Sequence, residues 1–343
     1  MRRFETGKLP PELLERFVLH RNGTRRPEVL LGAAVGEDAA ALDLGGDLCV
    51  AASDPITGAG RHAGWLAVHV NCNDIAATGA EPVGVLLTIL LPEGATAADL
   101  EEIMAGAEEA ARETGCQIIG GHTEVTPGLS QALVMATALG RAPRDRLASS
   151  GGARPGDDLV LTKWAGLEGT AILAADFPDE LAARGVDAET LASAARLGRW
   201  LSVLPEARIA ASRRAHAMHD VTEGGVLGAV HELLHASSVA SGQELGCELE
   251  AAAIPVRPET TAICAAVDAD PLRLIGSGAL LIATDRGEAL VDELTAAGIP
   301  AARIGRVTAA GGRWVTGRDG RRRPLEPPVG DELWRVRARL AAS

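Results

Sequence analysis

The sequence has no block of basic residues and no basic stripe interleaved with aromatic residues, which make up only 2% of its 343 positions. Its formal net charge of −13 would repel a polyanion, so these features argue against a nucleic-acid-binding protein. The longest apolar stretch, 83–91, is about half the length of a membrane span, and the N-terminus carries no apolar signal-peptide core. We therefore expect a cytoplasmic protein that binds neither nucleic acid nor a membrane.

Cysteine and lysine are both scarce. The five cysteines form no C-x-x-C pair and no Cys/His group at zinc-ligand spacing, so reduced, mostly buried thiols are expected. Among 33 lysines and arginines only Lys8 and Lys163 are lysines. Because arginine is used almost everywhere else, the two lysines are candidates for positions that need a compact charge, for example beside a phosphate. The alternative, two surface lysines without a special role, stays open.

The length of 343 residues predicts two domains, and 47% hydrophobic with 23% charged residues is typical of globular proteins. Strand-like runs alternate with helical patterns, which indicates an α/β or α+β protein. A stretch rich in Pro, Gly and charge, 141–158, predicts domains at 1–150 and 151–343. The main predicted elements are helices at 11–20, 62–78, 96–114 and 225–235, strands at 40–44, 48–52, 83–91, 116–119, 132–139, 159–163 and 217–220, and a β-α-β run at 279–307.

Carboxylates stand at the ends of predicted strands in the first domain. Glu37 and Asp38 form a turn before one strand, and Asp54 ends the next. Such hard oxygen ligands suit Mg²⁺, which takes one or two protein carboxylates and completes its shell with water and phosphates. Acidic turns without a metal are common, so each cluster alone is weak evidence.

The predicted helix 62–78 carries a polar row. Asn71, Asp74 and Thr78 fall on one face at i, i+3 and i+7, while most of the remaining face is apolar. This pattern favours a row of polar groups beside a cleft.

Two glycine-containing segments could approach an anion. Gly120 and Gly121 follow a predicted strand, where a loop could bring backbone N–H groups close to a phosphate, although a tight turn is the plainer alternative. The segment 219–225, HDVTEGG, leads from a strand into a helix N-terminus, which favours an anion. A helix N-cap by Asp220 or Thr222 is the structural alternative.

No P-loop and no convincing Rossmann fingerprint is present. Taken in order, however, the segments GEDAA, SDPITG, NCNDIAATGAEP, GGHTEV, TKWAGLEGTAIL and HDVTEGGVLGAVHE resemble the aminoimidazole ribonucleotide synthetase-like (PurM-like) superfamily over nearly the whole chain. The sequence looks most similar to its HypE-like branch, named for a hydrogenase-maturation protein. The resemblance implies an α+β fold with an N-terminal domain that binds ATP and dimerises through its sheet, a C-terminal α/β layer domain, and Mg²⁺ between the phosphates and aspartates.

The resemblance also assigns roles at matching positions. Asp38, Asp54 and Asp74 match the metal and phosphate aspartates. Asp220 matches an aspartate that faces the active cleft, and Lys8 lies in a segment that folds over the nucleotide in several members. We therefore expect Asp220 and Lys8 to be catalytic. The expected ATP-binding residues are Asp38, Asp54, Asn71, Asn73, Asp74, Gly120, Gly121 and Thr123.

Members of this family phosphorylate an acceptor atom with ATP. The resemblance therefore implies a Mg²⁺- and ATP-dependent homodimeric enzyme that phosphorylates or dehydrates a small acceptor. The alternatives are a thiamine-monophosphate kinase and a nucleotide-binding sensor or scaffold without turnover. His122 replaces an acidic residue of the relatives, which moves its metal role towards Glu124. The final residues lack the terminal cysteine that the hydrogenase-maturation enzyme modifies, so we expect no dehydratase reaction on this chain itself.

Overall fold

The computed structural model describes residues 11–19, 21, 24–57, 62–309, 312–328 and 330–340, which form two compact units. The N-terminal unit consists of Arg25–Gly32 and Asp38–Leu147. The C-terminal unit begins at Ala148 and also includes Ala33–Glu37 and the described residues up to Thr24. Lys8, one of the two predicted catalytic residues, lies outside the described residues.

No helix in the described part of the chain is long and apolar enough to cross a membrane. The helices are α1 (Pro11–Leu14), continued by a π-helical turn (Glu15–Leu19), α2 (Ala63–Ala77), α3 (Ala97–Thr114), α4 (Leu167–Asp176), α5 (Pro178–Ala183), α6 (Ala188–Ala195), α7 (Leu204–Ser212), α8 (Gly225–Ser241), α9 (Pro258–Ala266), α10 (Gly287–Ala296) and α11 (Glu332–Leu340). The strands are β1 (Val29–Leu31), β2 (Ala40–Leu42), β3 (Leu48–Ile56), β4 (Glu81–Leu91), β5 (Gln117–Val125), β6 (Leu133–Ala142), β7 (Asp158–Thr162), β8 (Ala217–Asp220), β9 (Leu245–Glu250), β10 (Leu280–Thr284), β11 (Ala301–Ala309), β12 (Arg313–Thr316) and β13 (Arg322–Pro324).

The sheet of the N-terminal unit has the strand order β1-β2-β3-β6-β4-β5. All neighbours are antiparallel except β4 and β5, which run parallel. The helix α2 packs against β3, β6 and α3. The apolar sequence of β4 calls for cover on both faces, yet Val83 and Leu86 on one face are 50% and 38% exposed. One face of this sheet therefore carries uncovered apolar side chains.

Local sequence signals determine the ends of α3. The Thr96 hydroxyl accepts a hydrogen bond from the Asp99 N–H at 3.3 Å, and the Asp99 carboxylate accepts one from the Thr96 N–H at 2.7 Å. The two contacts form a capping box that satisfies backbone donors at the helix start. Gly115 ends the helix in a left-handed conformation with φ 73°. The predicted caps of this helix, Thr96 and Gly115, are confirmed.

The predicted loop after residue 119 is wrong, because β5 continues to Val125 and includes both Gly120 and Gly121. Gly121 pairs with Leu87 of β4. A Cβ atom at Gly121 would lie 1.8 Å from the Leu87 carbonyl oxygen, so a side chain there would prevent this pairing. Paired glycines therefore allow a close strand contact here, where the sequence pattern suggested a turn.

The C-terminal unit contains a seven-stranded sheet in the order β13-β12-β9-β11-β7-β10-β8. Its neighbours are antiparallel except β9 and β12. Every residue of β7, β8 and β10 is buried, so both faces of this part of the sheet are covered. The helix α8 contributes apolar side chains to the core on one face, among them Val226, Val230, Leu233 and Leu234. A second apolar core joins α4, α9 and α11.

Candidate functional site

Asp38 and Asp54 lie at the same end of the N-terminal sheet. The antiparallel register pairs Ala40 of β2 with Ala51 of β3. Asp38 precedes β2 and Asp54 follows Ala51 in β3, so in this antiparallel pair both residues are toward the same end. Asp54 is exposed and Asp38 is partly buried. Two of the three predicted metal ligands therefore lie toward the same end of these strands.

Asn71 fixes the backbone of Asp54. Its side-chain oxygen accepts a hydrogen bond from the Asp54 N–H at 2.7 Å, and its amide nitrogen donates to the Asp54 carbonyl oxygen at 3.2 Å. The same nitrogen also donates to the Ala67 carbonyl oxygen at 2.9 Å. Because these contacts use both ends of a fully buried amide, Asn71 acts by positioning Asp54.

Asp74 and Thr78, the other two residues of the predicted polar row, are also buried. Asp74 lies one helical turn after Asn71 on the same face of α2 and is only 5% exposed, and Asn73 is fully buried. The Thr78 hydroxyl donates to the Ile75 carbonyl oxygen at 2.7 Å, a local bond at the end of the helix. Asn71 therefore joins Asp54 to α2, the helix that also carries Asp74, while Thr78 serves as a helix-terminal residue.

The glycines of β5 lie in the same cross-strand row as Asp54, but not beside it. Asp54 pairs with Ala136 of β6, which pairs with Leu87 of β4, which in turn pairs with Gly121. Three strand spacings of about 4.8 Å separate the ends of this row by about 14 Å. Gly120, Gly121 and Thr123 thus form a second group, separate from the aspartates.

His122 and Glu124 form an exposed pair on β5. His122 Nε2 lies 3.1 Å from Glu124 Oε2, and the Thr126 hydroxyl donates to Glu124 Oε1 at 2.9 Å. These contacts lower the pKa of Glu124, with His122 as the larger cause. Glu124 therefore stays ionised beside His122.

Lys163 is a structural residue. Its ammonium lies 2.6 Å from Glu206 Oε1 and donates to the carbonyl oxygens of Trp200 at 3.0 Å and Ser202 at 2.6 Å. The side chains of Lys163 and Glu206 are 3% and 2% exposed. The rarity of lysine suggested a place for a compact charge, and the Lys163 ammonium binds a buried carboxylate and two carbonyl groups.

In the C-terminal unit, β8 leads through the segment 221–224 into α8 and ends at Asp220. His219 lies between two partners: Nδ1 is 3.4 Å from the Ser150 hydroxyl and Nε2 is 3.1 Å from Glu232 Oε2 on α8. Ser150, His219 and Asp220 are nearly inaccessible to solvent. The contacts of His219 with Ser150 and Glu232 therefore hold the strand that carries Asp220 in place. Because Ser150 is buried, its hydroxyl is kept away from a substrate.

The N-cap of α8 is Gly224, in a left-handed conformation with φ 90° and without a side-chain cap, so the expected alternative of a cap by Asp220 or Thr222 is wrong. The Gly224 N–H instead donates to Asp331 Oδ2 at 2.7 Å, while Asp331 Oδ1 accepts from the Leu333 N–H at 2.7 Å. A carboxylate of the protein itself thus binds the helix end that the sequence suggested for an external anion.

Two carboxyl groups near this segment have raised pKa values. Burial raises the pKa of Glu168 on α4 to about 7, and the charges of Asp331 and Glu223 add to the effect while a hydrogen bond from Ser277 opposes it. Burial also raises the pKa of Asp331 to about 6, against hydrogen bonds from backbone N–H groups. These carboxyl groups take up and release protons near neutral pH.

The sequence did not reveal the groups around β8 and the start of α8. Asp331 and Gly224 are 107 residues apart, and Ser150 and His219 are 69 apart. Neither Asp331 nor Glu168 stands in a pattern that marks it, because an acidic residue before or within the first turn of a helix is common. Only His219 gave a signal, through its place next to Asp220 in the glycine-containing segment.

The three predicted metal ligands have the chemistry that a magnesium ion requires. Asp38, Asp54 and Asp74 offer carboxylate oxygens, the ligands that Mg²⁺ prefers. The backbone of Asp54 is hydrogen-bonded to Asn71 of α2, the helix that also carries Asp74. Mg²⁺ bound there would neutralise charge on the phosphates of a nucleotide.

Comparison with known proteins gives consistent matches over the chain. Residues 36–142 match the N-terminal domain family of AIR synthase related proteins, and residues 154–316 match the C-terminal domain family. The carbamoyl dehydratase HypE of Cupriavidus necator is 32% identical over 296 residues, or 82% of this chain and 78% of that protein.

Solved structures share the fold. The structure of a HypE–HypF complex superposes with a TM-score of 0.75 at 20% identity, covering 92% of this chain and 99% of the other. The structure of hydrogenase maturation protein HypE in complex with ATP has a TM-score of 0.70 at 25% identity, covering 96% and 98%. The two-domain α+β fold is therefore shared with these proteins.

Proposed function

Since the chain belongs to the AIR synthase related family, in its HypE branch, we propose that it is an ATP-dependent enzyme of the dehydratase or ligase type that acts on a carbamoyl group. The relative from Cupriavidus necator is a carbamoyl dehydratase, and a relative at 25% identity has been solved with ATP. In this chain, the observation that carries the proposal is the pair of hydrogen bonds by which Asn71, on the same helix as Asp74, holds the backbone of Asp54.

The proposed reaction removes the oxygen of the carbamoyl group as phosphate. The amide oxygen attacks the γ-phosphorus of ATP, the bond to the bridging oxygen breaks, and ADP leaves. Loss of phosphate then breaks the carbon–oxygen bond, and the nitrogen gives up its two protons, so that a nitrile remains. The net change is dehydration of the amide coupled to conversion of ATP into ADP and phosphate.

We assign separate tasks to the two units. Asp38, Asp54 and Asp74 would hold Mg²⁺ and the phosphates, with Asn71 positioning Asp54. Asp220, braced through His219, would face the acceptor. Positioning and charge neutralisation supply most of the acceleration in phosphoryl transfer, so fixed carboxylates suit this task. The glycines of β5, Thr123 and Lys8 keep their proposed roles in binding the nucleotide.

The test measures ATP consumption by the purified protein with Mg²⁺ and a peptide thiocarbamate, and nitrile formation by mass spectrometry. The variant Asp54→Asn keeps the side-chain shape and should weaken Mg²⁺-dependent ATP binding by more than about tenfold, since even outer-shell partners cost about 10- to 100-fold in metal affinity. Asp47→Asn, at an exposed position in the turn before β3, is the matched control. ATP binding without turnover would support a sensor, and unchanged binding in Asp54→Asn would contradict the metal site.

We also propose that the N-terminal unit forms a homodimer through the uncovered face of its sheet. Val83 and Leu86 on β4 and Ile119 on β5 are exposed apolar side chains. A second copy of this sheet is an apolar surface of matching character, and covering such side chains is favourable. Sedimentation should show a dimer that Leu86→Glu converts to a monomer, and a monomeric wild type at micromolar concentration would contradict the proposal.

A further inference from the structure

Cys72 and Cys116 bring two thiols together in the N-terminal unit. Their Sγ atoms lie 4.0 Å apart, with the Cys72 S–H directed to the Cys116 sulfur. Cys72 is a fully buried residue of α2. Cys116 is partly exposed and stands between the end of α3 and the start of β5. One thiol of the pair is therefore within reach of a small reagent in solution, and the other lies directly behind it.

The surroundings of Cys116 favour its reactive form. The Cys72 thiol and then the Thr114 hydroxyl, whose oxygen lies 3.2 Å from the sulfur, lower the pKa of Cys116 below its ordinary value, against the effect of burial. By contrast, burial raises the pKa of Cys247 to about 11 and of Cys264 to about 12. The thiolate is the nucleophile of cysteine chemistry, so Cys116 is the cysteine best suited to react first.

We propose that Cys116 and Cys72 form a redox couple in which a two-electron thiol oxidant, a peroxide, converts the two thiols into a reversible disulfide. The Cys116 thiolate attacks one peroxide oxygen, the oxygen–oxygen bond breaks, and Cys116 becomes a sulfenic acid while hydroxide leaves. The Cys72 sulfur then attacks the Cys116 sulfur, the sulfur–oxygen bond breaks, and the second hydroxide leaves with the Cys72 proton as water. The two sulfurs together lose two electrons, and hydrogen peroxide becomes two waters.

Forming the bond requires the two sulfur atoms to move closer together. A disulfide needs sulfur atoms about 2.05 Å apart, so the pair must approach by about 2 Å. Gly115, just before Cys116, has no atom within 4 Å of the place where its Cβ would be, so there is open space beside this residue. The bond would join α2, which carries Asn71 and Asp74, to the start of β5. Disulfides in reducing compartments are usually transient and sensing, which suits a bond made by an oxidant and reversed by a thiol.

The test uses the full-length reduced protein with equimolar hydrogen peroxide. Intact-mass spectrometry should show the loss of two hydrogen atoms, reversed by dithiothreitol, and peptide mapping should link the peptides that contain Cys72 and Cys116. This arm needs no variant and does not depend on ATP binding, so it is separate from the proposed function. Absence of the mass loss, or linkage through another cysteine, would overturn the proposal.

Variants identify the order of the two steps. Cys72→Ala should leave a sulfenic acid at Cys116 that dimedone traps, whereas Cys116→Ser should abolish the reaction. Cys49→Ala, at a similarly partly buried thiol, is the matched control and should form the bond as the wild type does. In a parallel arm with oxidised glutathione, Cys72→Ala should hold a glutathione adduct at Cys116. If the disulfide formed with oxidised glutathione but not with hydrogen peroxide, the peroxide reaction would be contradicted. Dimedone labelling of another cysteine in Cys72→Ala would contradict the assignment of Cys116.

Discussion

Replacing Lys163 by methionine tests whether this rare lysine has a structural task. The change removes a buried charge and keeps an unbranched side chain at the same left-handed backbone position, φ 54°. The wild-type ammonium contacts Glu206 at 2.6 Å and two carbonyl oxygens. In the variant, the carboxylate of Glu206 stays in the interior with the Thr162 hydroxyl as a hydrogen-bond donor at 3.2 Å. A charge without its counter-ion is thus left out of water.

The expected loss of stability is large. Removing one partner of a buried ion pair costs about 3–5 kcal/mol, because the remaining charge is desolvated without compensation. In a unit of this size 1 kcal/mol lowers Tm by about 2–4 °C, so we expect a decrease of about 10 °C. Replacing both partners by apolar residues, in Lys163→Met with Glu206→Leu, should recover at least half of the loss, because no buried charge is left.

Urea unfolding followed by tryptophan fluorescence measures these differences. Trp164 and Trp200 pack edge to face with ring centroids 5.4 Å apart. Trp164 follows Lys163 in the sequence, and the Trp200 carbonyl oxygen accepts a hydrogen bond from the Lys163 ammonium, so the emission of both rings reports on this region. ATP affinity of the folded single variant should equal that of the wild type. A free energy of unfolding within about 1 kcal/mol of the wild type would refute the ion-pair argument. Loss of ATP affinity at unchanged stability would instead support a phosphate-binding lysine.

Three further predictions concern the carboxyl groups. Asp74→Asn should abolish Mg²⁺-dependent ATP binding in calorimetry while circular dichroism stays unchanged. Asn71→Ala removes no charge but releases the Asp54 backbone, and should weaken the same binding by about 10- to 100-fold, as loss of an orienting partner does. The pKa of Glu168, raised from 4.5 to about 7, means that the folded state binds its proton more tightly, so stability falls as pH rises from 4.5 to 7. Glu168→Gln has no titrating carboxyl at this position. As the pH rises from 4.5 to 8, the free energy of unfolding of the variant in urea should therefore rise by about 3 kcal/mol relative to that of the wild type. Parallel pH profiles of the two proteins would contradict the raised pKa of Glu168.

Local chemistry made part of the fold predictable. Thr96 and Gly115 flank α3 in the sequence and Asp99 lies in its first turn, so the ends of this helix follow from short-range rules. The β5 strand shows the opposite case. The reason for Gly121 is the Leu87 carbonyl oxygen on another strand, which no local pattern reveals. Glycine pairs therefore mark either a turn or a close strand contact, and only the pairing partner decides between them.

The candidate site follows the same division. The row of Asn71 and Asp74 could be predicted, because helical periodicity alone places them on one face. The target of Asn71 could not, since its partner is the Asp54 backbone, 17 residues earlier on a strand. Likewise, nothing in the sequence distinguishes Glu206 from other acidic residues in a first helical turn, although it holds Lys163. Residue type indicated a compact charge, and tertiary contacts determined what it binds.

The carboxyl groups show why residue counts do not fix charge. Glu259 accepts hydrogen bonds from Arg257 and Ser193, and these hold its pKa at about 2. Glu168 is an identical side chain, yet burial raises its pKa to about 7. The formal net charge of −13 counts both as ionised, although Glu168 is partly protonated at neutral pH. An enzyme that both neutralises phosphates and moves protons needs carboxylates that stay charged and carboxyls that exchange protons, and the environment each unit builds decides which is which.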